Sequence, residues 1–239
     1  MISSHVNDRI IPLSFLIDEL GEYDAGDIIG RGVTSIVFEK QGSDRVLLFT
    51  RDAVKAELYL QNGLGKLLSI MNDIQAPPIS PDTNMPVFAI EMDRYSPEQD
   101  FNLQEREAIR SIKWTLMELS LFTHKLEGSK NRNVSIIKSR TAFLNALDGE
   151  YPAGYTDTKM TEMGLDIARK TLLPLQDMDP SSFEFDITDD DYHSSRNGVV
   201  LIDPVVSSHI IEMLDHDRKA RMKKSAKPIQ LAKNSQLIR

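Results

Sequence analysis

The sequence contains no cysteine, which excludes disulfides and thiolate metal sites and leaves packing and hydrogen bonding to hold the fold. No apolar run approaches the ~18 residues that a membrane span requires. The opening "MISSHVNDRIIPLS" lacks the pattern of a signal peptide. Positive charge is in deficit: 28 Lys and Arg face 36 Asp and Glu, a formal net charge of -8. That balance disfavours a general nucleic-acid binder, because the phosphate backbone would be repelled. The five histidines, His5, His124, His193, His209 and His216, show no metal-binding spacing. These absences fit a protein of a reducing cytoplasm.

What remains has an ordinary globular composition. The 239 residues, 41% hydrophobic and 27% charged, suffice for one large domain or two small ones sharing an interface. The charge is uneven. From Arg218 the chain reads "RKARMKKSAKPIQLAKNSQLIR", basic and free of acids. Its plain reading is a solvated helix and tail; the sharper one is a docking tail for an acidic partner or nucleic acid.

Periodicity changes along the chain. "RIIPLSFLIDEL" (9–20) reads as a short amphipathic helix or apolar lead-in. Ile28-Ile29, Ile36-Val37-Phe38 and Val46-Leu47-Leu48-Phe49 are β-rich runs separated by Gly-containing turns. Residues 51–62, "RDAVKAELYLQN", have helical spacing and stop at Asn62-Gly63. A Pro-rich connection then leads to the short strand "VFAIEM". Beyond Ser96-Pro97 the pattern is helical, beginning with "LQEREAIRSIKWTLMELSLFTHKL" and its face of Ile109, Ile112, Leu116 and Leu119. Trp114 reads as a core residue of that helix. "NVSIIKSRTAFLNAL", "DTKMTEMGLDIARKTLLPL" and "SSHIIEMLDHDRKARMKK" complete the helical candidates. A β-rich first part followed by helices predicts an α+β protein of two lobes, not an alternating βαβ sheet. The expected divisions are 1–94, 95–217 and a basic tail over 218–239.

Two motifs carry chemistry. "IIGRGVTSIVFE" places Gly30-x-Gly32-x-x-Ser35-x-Val37 between strand-like runs. Glycines at such a bend let the backbone approach a phosphate and aim N–H groups at its oxygens. A following strand argues against a dinucleotide fingerprint, and no Lys-Ser/Thr is present for a Walker loop. A plain hairpin with Gly in its turn is the competing reading. The second motif is "FDITDDDYHSSRNGVVLIDP", with Asp186, Asp189, Asp190, Asp191 and Asp203. Asp203 closes the apolar run "VVLI", where an unpaired carboxylate is costly. Phosphoryl transfer calls for a base aspartate, a metal ligand five residues on, and a second metal-binding aspartate after a strand. Hard oxygen ligands suit Mg2+. Asp189 and Asp190 read as exposed bystanders, and His193 with "SSRNG" as a turn.

On these residues the sequence resembles a protein kinase-like fold, and within it the early serine/threonine protein kinases of T-odd, short-tailed bacteriophages. The resemblance runs thinly from about residue 25 to 225. It implies an ATP site formed by Gly30, Arg31, Gly32, Ser35 and Val37, and places Glu57 at the helix glutamate. It also implies Ile90 as gatekeeper, with Glu91 to Asp93 offering backbone groups to adenine. Asp186 becomes the base, with Asp191 and Asp203 as Mg2+ ligands. Host proteins such as the transcription and translation machinery, in the host bacterial cytoplasm, are the implied targets.

The departures are specific. Leu48 stands where the third strand should present its lysine, leaving Arg31, Arg51 and Lys55 as candidate cations. Glu184-Phe185 replaces His-Arg before the base, and Asp191 replaces the asparagine ligand. No Ala-Pro-Glu follows Asp203, and 36 residues remain after it, too few for the usual activation segment and lower helices. The expected function is an ATP- and Mg2+-dependent protein kinase. The alternatives are a catalytically impaired relative that inhibits a host enzyme by binding, and an enzyme of the same fold transferring a nucleotidyl group.

Overall fold

The computed structural model describes residues 11, 16, 19–32, 34–72, 85–97, 101–127, 132–156, 159–187, 191–195, 198–216 and 218–219. Asp189, Asp190, the Pro-rich connection over 73–84 and the tail from 220 lie outside the described residues, as does most of the 9–20 segment. The fold is mixed α+β.

Five strands build the first part: β1 (Ala25–Arg31), β2 (Ser35–Lys40), β3 (Arg45–Thr50), β4 (Gly65–Met71) and β5 (Val87–Asp93). They form one antiparallel sheet in the order β1-β2-β3-β5-β4. Helix α1 (Ala53–Gln61) is inserted between β3 and β4. Asp52 caps it by accepting the Lys55 N–H at 3.1 Å, and Gly63, at φ 65°, lets the chain turn away at its end.

Strand alternation divides the sheet into two faces. Ile36, Phe38, Leu47, Phe49, Val87 and Ala89 form one buried cluster, which Ile11, Leu16 and the half-buried Leu214 help to cover. Val46, Leu48, Ile90 and Met92 point the other way and pack with Ala56 and Tyr59 of α1. Gly65 permits this packing: a Cβ there would come within 3.2 Å of Met92 and closer still to Ile90.

The second part contains α2 (Leu103–Glu127), α3 (Arg132–Leu147) and α4 (Glu162–Leu172). Asn102 and Glu105 cap α2 reciprocally, with N···O distances of 2.8 and 3.0 Å. Gly164 lets α4 cross α2 closely, since a Cβ would lie 2.9 Å from the Ala108 carbonyl oxygen. Ile109, Ile112 and Leu119 are buried in a core with Phe143, Leu144, Ile167 and Leu172. Val54 and Leu58 of α1 join this core, so α1 is buried on two sides and ties the sheet to the helices.

Trp114 departs from the expected core position. It lies 48% exposed on the solvent side of α2, with the Lys159 ammonium 4.8 Å from its ring centroid. The apolar stripe of α2 is narrower than its sequence suggests, because Ile109, Ile112 and Leu119 already fill the contact with α3 and α4.

Three short ladders complete the chain. β7 (Phe183–Phe185) pairs with β10 (Val205–Ser207), and the hairpin of β8 (Tyr192–Ser195) and β9 (Gly198–Leu201) adds β6 (Ser96–Pro97) at its edge. Of the residues read as a turn after Asp191, His193 to Ser195 belong to strand β8 and Gly198 begins β9, while Arg196 and Asn197 lie outside the described residues. Helix α5 (208–216) follows β10 and sends Leu214 back to the covered face of the sheet. Asp215 accepts ion pairs from Arg218 at 3.0 Å and Lys219 at 3.6 Å, which takes up the first two charges of the basic segment.

Candidate functional site

The second face of the sheet is only partly covered by α1. The remainder is a cleft of about 470 Å³ between the sheet and the Asp203 loop. Gly30, Arg31, Gly32, Ser35 and Val37 line one side of it, and Val46 and Leu48 belong to its floor. At its far end the chain leaves β5 through Met92, Asp93, Arg94 and Tyr95. His193, Ile202 and Asp203 close it from the helical part.

The glycine loop is held by backbone and hydroxyl contacts. The Gly32 N–H donates to the Ser35 carbonyl at 2.8 Å, and the Ser35 hydroxyl to Thr50 Oγ1 at 2.8 Å. A Cβ at Gly30 or Gly32 would meet its nearest protein atoms at 3.6 and 3.9 Å, an ordinary contact. Protein packing does not demand glycine at either position. What the glycines provide is bare backbone facing the cleft, the property that phosphate binding uses.

Lys55 enters this cleft from α1. Its side chain is 6% exposed, and its ammonium forms an ion pair with Asp203 Oδ1, whose side chain is 45% exposed. Thr34 Oγ1 lies 3.5 Å from the same nitrogen. Lys55, one of the three candidate cations, is thus bonded to Asp203 beneath the glycine loop. Arg51 is buried at the end of β3, where desolvation lowers its pKa. Arg31 lines the cleft from an exposed position.

The acidic residues converge although Asp186 and Asp203 are distant in sequence. The β7–β10 pairing sets the two side by side, and the Asp186 N–H donates to the Pro204 carbonyl at 2.9 Å. The β8–β9 hairpin returns the chain so that the Ile202 N–H donates to the Asp191 carbonyl at 2.6 Å. Asp203 adopts a left-handed φ of 63°, rare for a residue with a Cβ though better tolerated by Asp. Tyr59 is pushed well above the usual phenol range, first by burial and then by the carboxylates of Asp203, Asp52 and Asp191.

Asp186 is exposed and lines a second cavity of about 360 Å³, shared with Thr34, Lys55, Glu184, Asp203 and Val206. Lys55 and Asp203 belong to both cavities and form the wall between them. Ile211 and Leu214 of α5 close the second cavity. Arg140 supports the strand before Asp186: it donates to the Pro180 carbonyl at 2.9 Å, bonds the Phe183 carbonyl, and pairs with Glu184 at 3.4 Å.

Two expected site residues, Glu57 and Glu91, stand elsewhere. Glu57 is exposed and accepts from Gln61 Nε2 at 2.9 Å, because the face of α1 turned to the cleft carries Lys55 and Tyr59 instead. Glu91 lies inside a strand paired on both sides, and its carboxylate binds Lys40 at 2.5 Å and Arg45 at 2.6 Å. The backbone at the cleft edge therefore comes from Met92 to Tyr95. Ile90 is fully buried in the cluster behind the cleft.

Mg2+ bound with a nucleotide takes one or two protein carboxylates and completes its shell with phosphate oxygens and water. Among the described residues no group of three or more acids or histidines is arranged to hold a metal. Asp203, half-exposed beside the glycine loop, lines both cavities and offers a hard-oxygen donor, whereas Asp191 lines neither cavity and meets the Asp203 loop through its backbone carbonyl. Comparison with protein-family models, with curated proteins and with solved structures finds no match for the chain.

Proposed function

We propose that the chain is a reduced protein kinase-like enzyme that transfers the γ-phosphoryl group of ATP to a serine or threonine hydroxyl, with Lys55 as the phosphate-binding cation. The observation that carries this reading is the Lys55–Asp203 pair at the wall between the glycine-loop cleft and the Asp186 cavity. A cation, a metal-type carboxylate and a base-type carboxylate then line one cavity, the set of groups that phosphoryl transfer uses. The strand order, the helix inserted after β3 and the pairing of the strands flanking Asp186 and Asp203 support a kinase-like two-lobe arrangement. No helix of the described residues is long and apolar enough to cross a membrane.

In this reading ATP lies in the larger cleft, with its adenine toward Met92–Tyr95 and its phosphates under Gly30–Gly32. Mg2+, held by Asp191 and Asp203, would neutralise phosphate charge. Asp186 orients the acceptor hydroxyl and takes its proton. The hydroxyl oxygen bonds to the γ-phosphorus, the bond to the β–γ bridging oxygen breaks, and ADP leaves. Positioning and electrostatics do most of the work. The resemblance to phage kinases extends the proposal to host transcription and translation proteins as acceptors in the bacterial cytoplasm.

The test is transfer from γ-labelled ATP with Mg2+ to proteins of a bacterial lysate. Label should appear with the wild type and be lost in Asp186→Asn and Asp203→Ala. Transfer that survives both changes overturns the residue assignment. A second reading, a binding protein of the same fold that inhibits a host enzyme, draws on Leu48 at the strand-lysine place and on the mutual neutralisation of Lys55 and Asp203. It predicts no transfer to any lysate protein and no ATP-dependent thermal shift. Label arriving from α-labelled but not γ-labelled ATP would indicate nucleotidyl transfer instead.

A further inference from the structure

Asp52, Lys55 and Tyr59 occupy positions i, i+3 and i+7 at one face of α1. All three bond to the segment from Asp203 to Ser207. The Ser207 N–H donates to Asp52 Oδ2 at 2.9 Å, and the Asp203 N–H donates to Tyr59 Oη at 3.1 Å. Lys55 pairs with the Asp203 carboxylate between them. Seven residues of helix rise about 10.5 Å, within the ~13 Å that four residues span when fully extended, so the Asp203–Ser207 segment can reach both anchor points. Asp52 and Tyr59 are 0% and 2% exposed, so neither bond competes with water. On its other side the segment pairs with β7, and Asp186 bonds Pro204.

We propose that Tyr59 and Asp52 are positioning residues: they hold Asp203 in its left-handed conformation and thereby make α1 the element that sets the metal-binding geometry. The assignment of a metal to Asp203 rests on the proposed function; the anchoring itself does not. A left-handed aspartate persists where surrounding bonds over-determine it. Here one helix supplies a bond to the backbone nitrogen of Asp203, a charge to its side chain and a stop four residues on. Movement of α1 would release all three contacts together.

Tyr59→Phe tests this with little packing change, because the ring stays packed with Val46, Leu48, Ile90 and Met92 and only the hydroxyl is lost. Residue-resolved amide exchange of the full chain should show Asp203 protection falling about tenfold or more, with Ser207 still protected. Asp52→Asn should expose Ser207 in the complementary way. Unchanged protection of Asp203 in Tyr59→Phe overturns the anchoring, whether or not Asp52→Asn folds.

The consequence for metal is read by calorimetric titration of ATP with and without Mg2+. In Tyr59→Phe the ratio of ATP affinity with Mg2+ to affinity without it should shrink about fivefold or more, ~1 kcal/mol. An equal fall in both, or no change in either, overturns the positioning role. A wild type that binds no ATP removes the proposed function, and amide exchange then decides the anchoring alone.

Discussion

The two faces of the five-stranded sheet are made by the same strands yet do opposite things. On one face Phe38 and Phe49 meet edge to face with ring centroids 5.6 Å apart, and Ile11, Leu16 and Leu214 help to seal them. Its rim ends in the charge cluster of Lys40, Arg45 and Glu91. On the other face the cover stops short. Val37, Val46 and Leu48 border open space, and buried Lys55 and Tyr59 reach across it to Asp203. Alternation within a strand therefore separates stability from chemistry, because successive side chains point to opposite faces. Alternation predicts that the sealed face can be altered without touching the larger cleft, and the reverse.

The largest expected effect is on the sealed face. Phe49→Ala removes a fully buried ring and should lower unfolding free energy by about 3–5 kcal/mol in urea denaturation. ATP affinity of the molecules that remain folded should be unchanged; a matching loss of affinity would mean that the faces are not independent.

On the cleft face, Lys55→Met should weaken ATP binding about tenfold to hundredfold, ~1.4–2.8 kcal/mol, with a melting temperature close to that of the wild type. Leu48 borders the same cavity, so Leu48→Lys added to Lys55→Met should recover part of the affinity. No recovery would show that the cation must come from α1.

The smallest effect is at the rim. Bonding to Lys40, the largest influence, holds the Glu91 carboxyl below its usual pKa, against a smaller opposing push from desolvation. A depressed acid pKa contributes stability above the unfolded value of about 4.3 and loses it as pH falls through the folded value. Glu91→Gln should therefore cost less than about 1 kcal/mol at neutral pH, with its melting-temperature difference from the wild type closing at acidic pH. A difference that is constant across that range would sink the assignment. Asp52 carries the opposite sign. Burial raises its pKa, so its contribution is fullest at acidic pH and declines as pH rises from the ordinary carboxylate range through the raised value.

What could be read in the sequence follows the range of the forces involved. The spacing in "LQEREAIRSIKW" and "NVSIIKSRTAFLNAL" marks α2 and α3 because helical periodicity is local. The strands around Phe38, Phe49 and Ala89 are visible because β-branched and aromatic residues gather there. β4 is hidden, since "GKLLSIM" begins with Gly-Lys and has a half-exposed pattern. β7 and β8, of three and four residues, exist through partners distant in sequence and carry no period of their own. Lys55 could be picked out as a candidate cation, yet so could Arg31 and Arg51.

By itself the sequence determined the β-rich and helical parts, the glycine loop between two strands, and an aspartate at the end of "VVLI". Periodicity, turn chemistry and the cost of a buried charge act over a few residues and leave their mark there. Only the tertiary structure decided that α1 turns Asp52, Lys55 and Tyr59 toward Asp203 and leaves Glu57 in solvent. Helical spacing puts the three on one face, but which face meets the Asp203 loop depends on Val54 and Leu58 packing against the helical core.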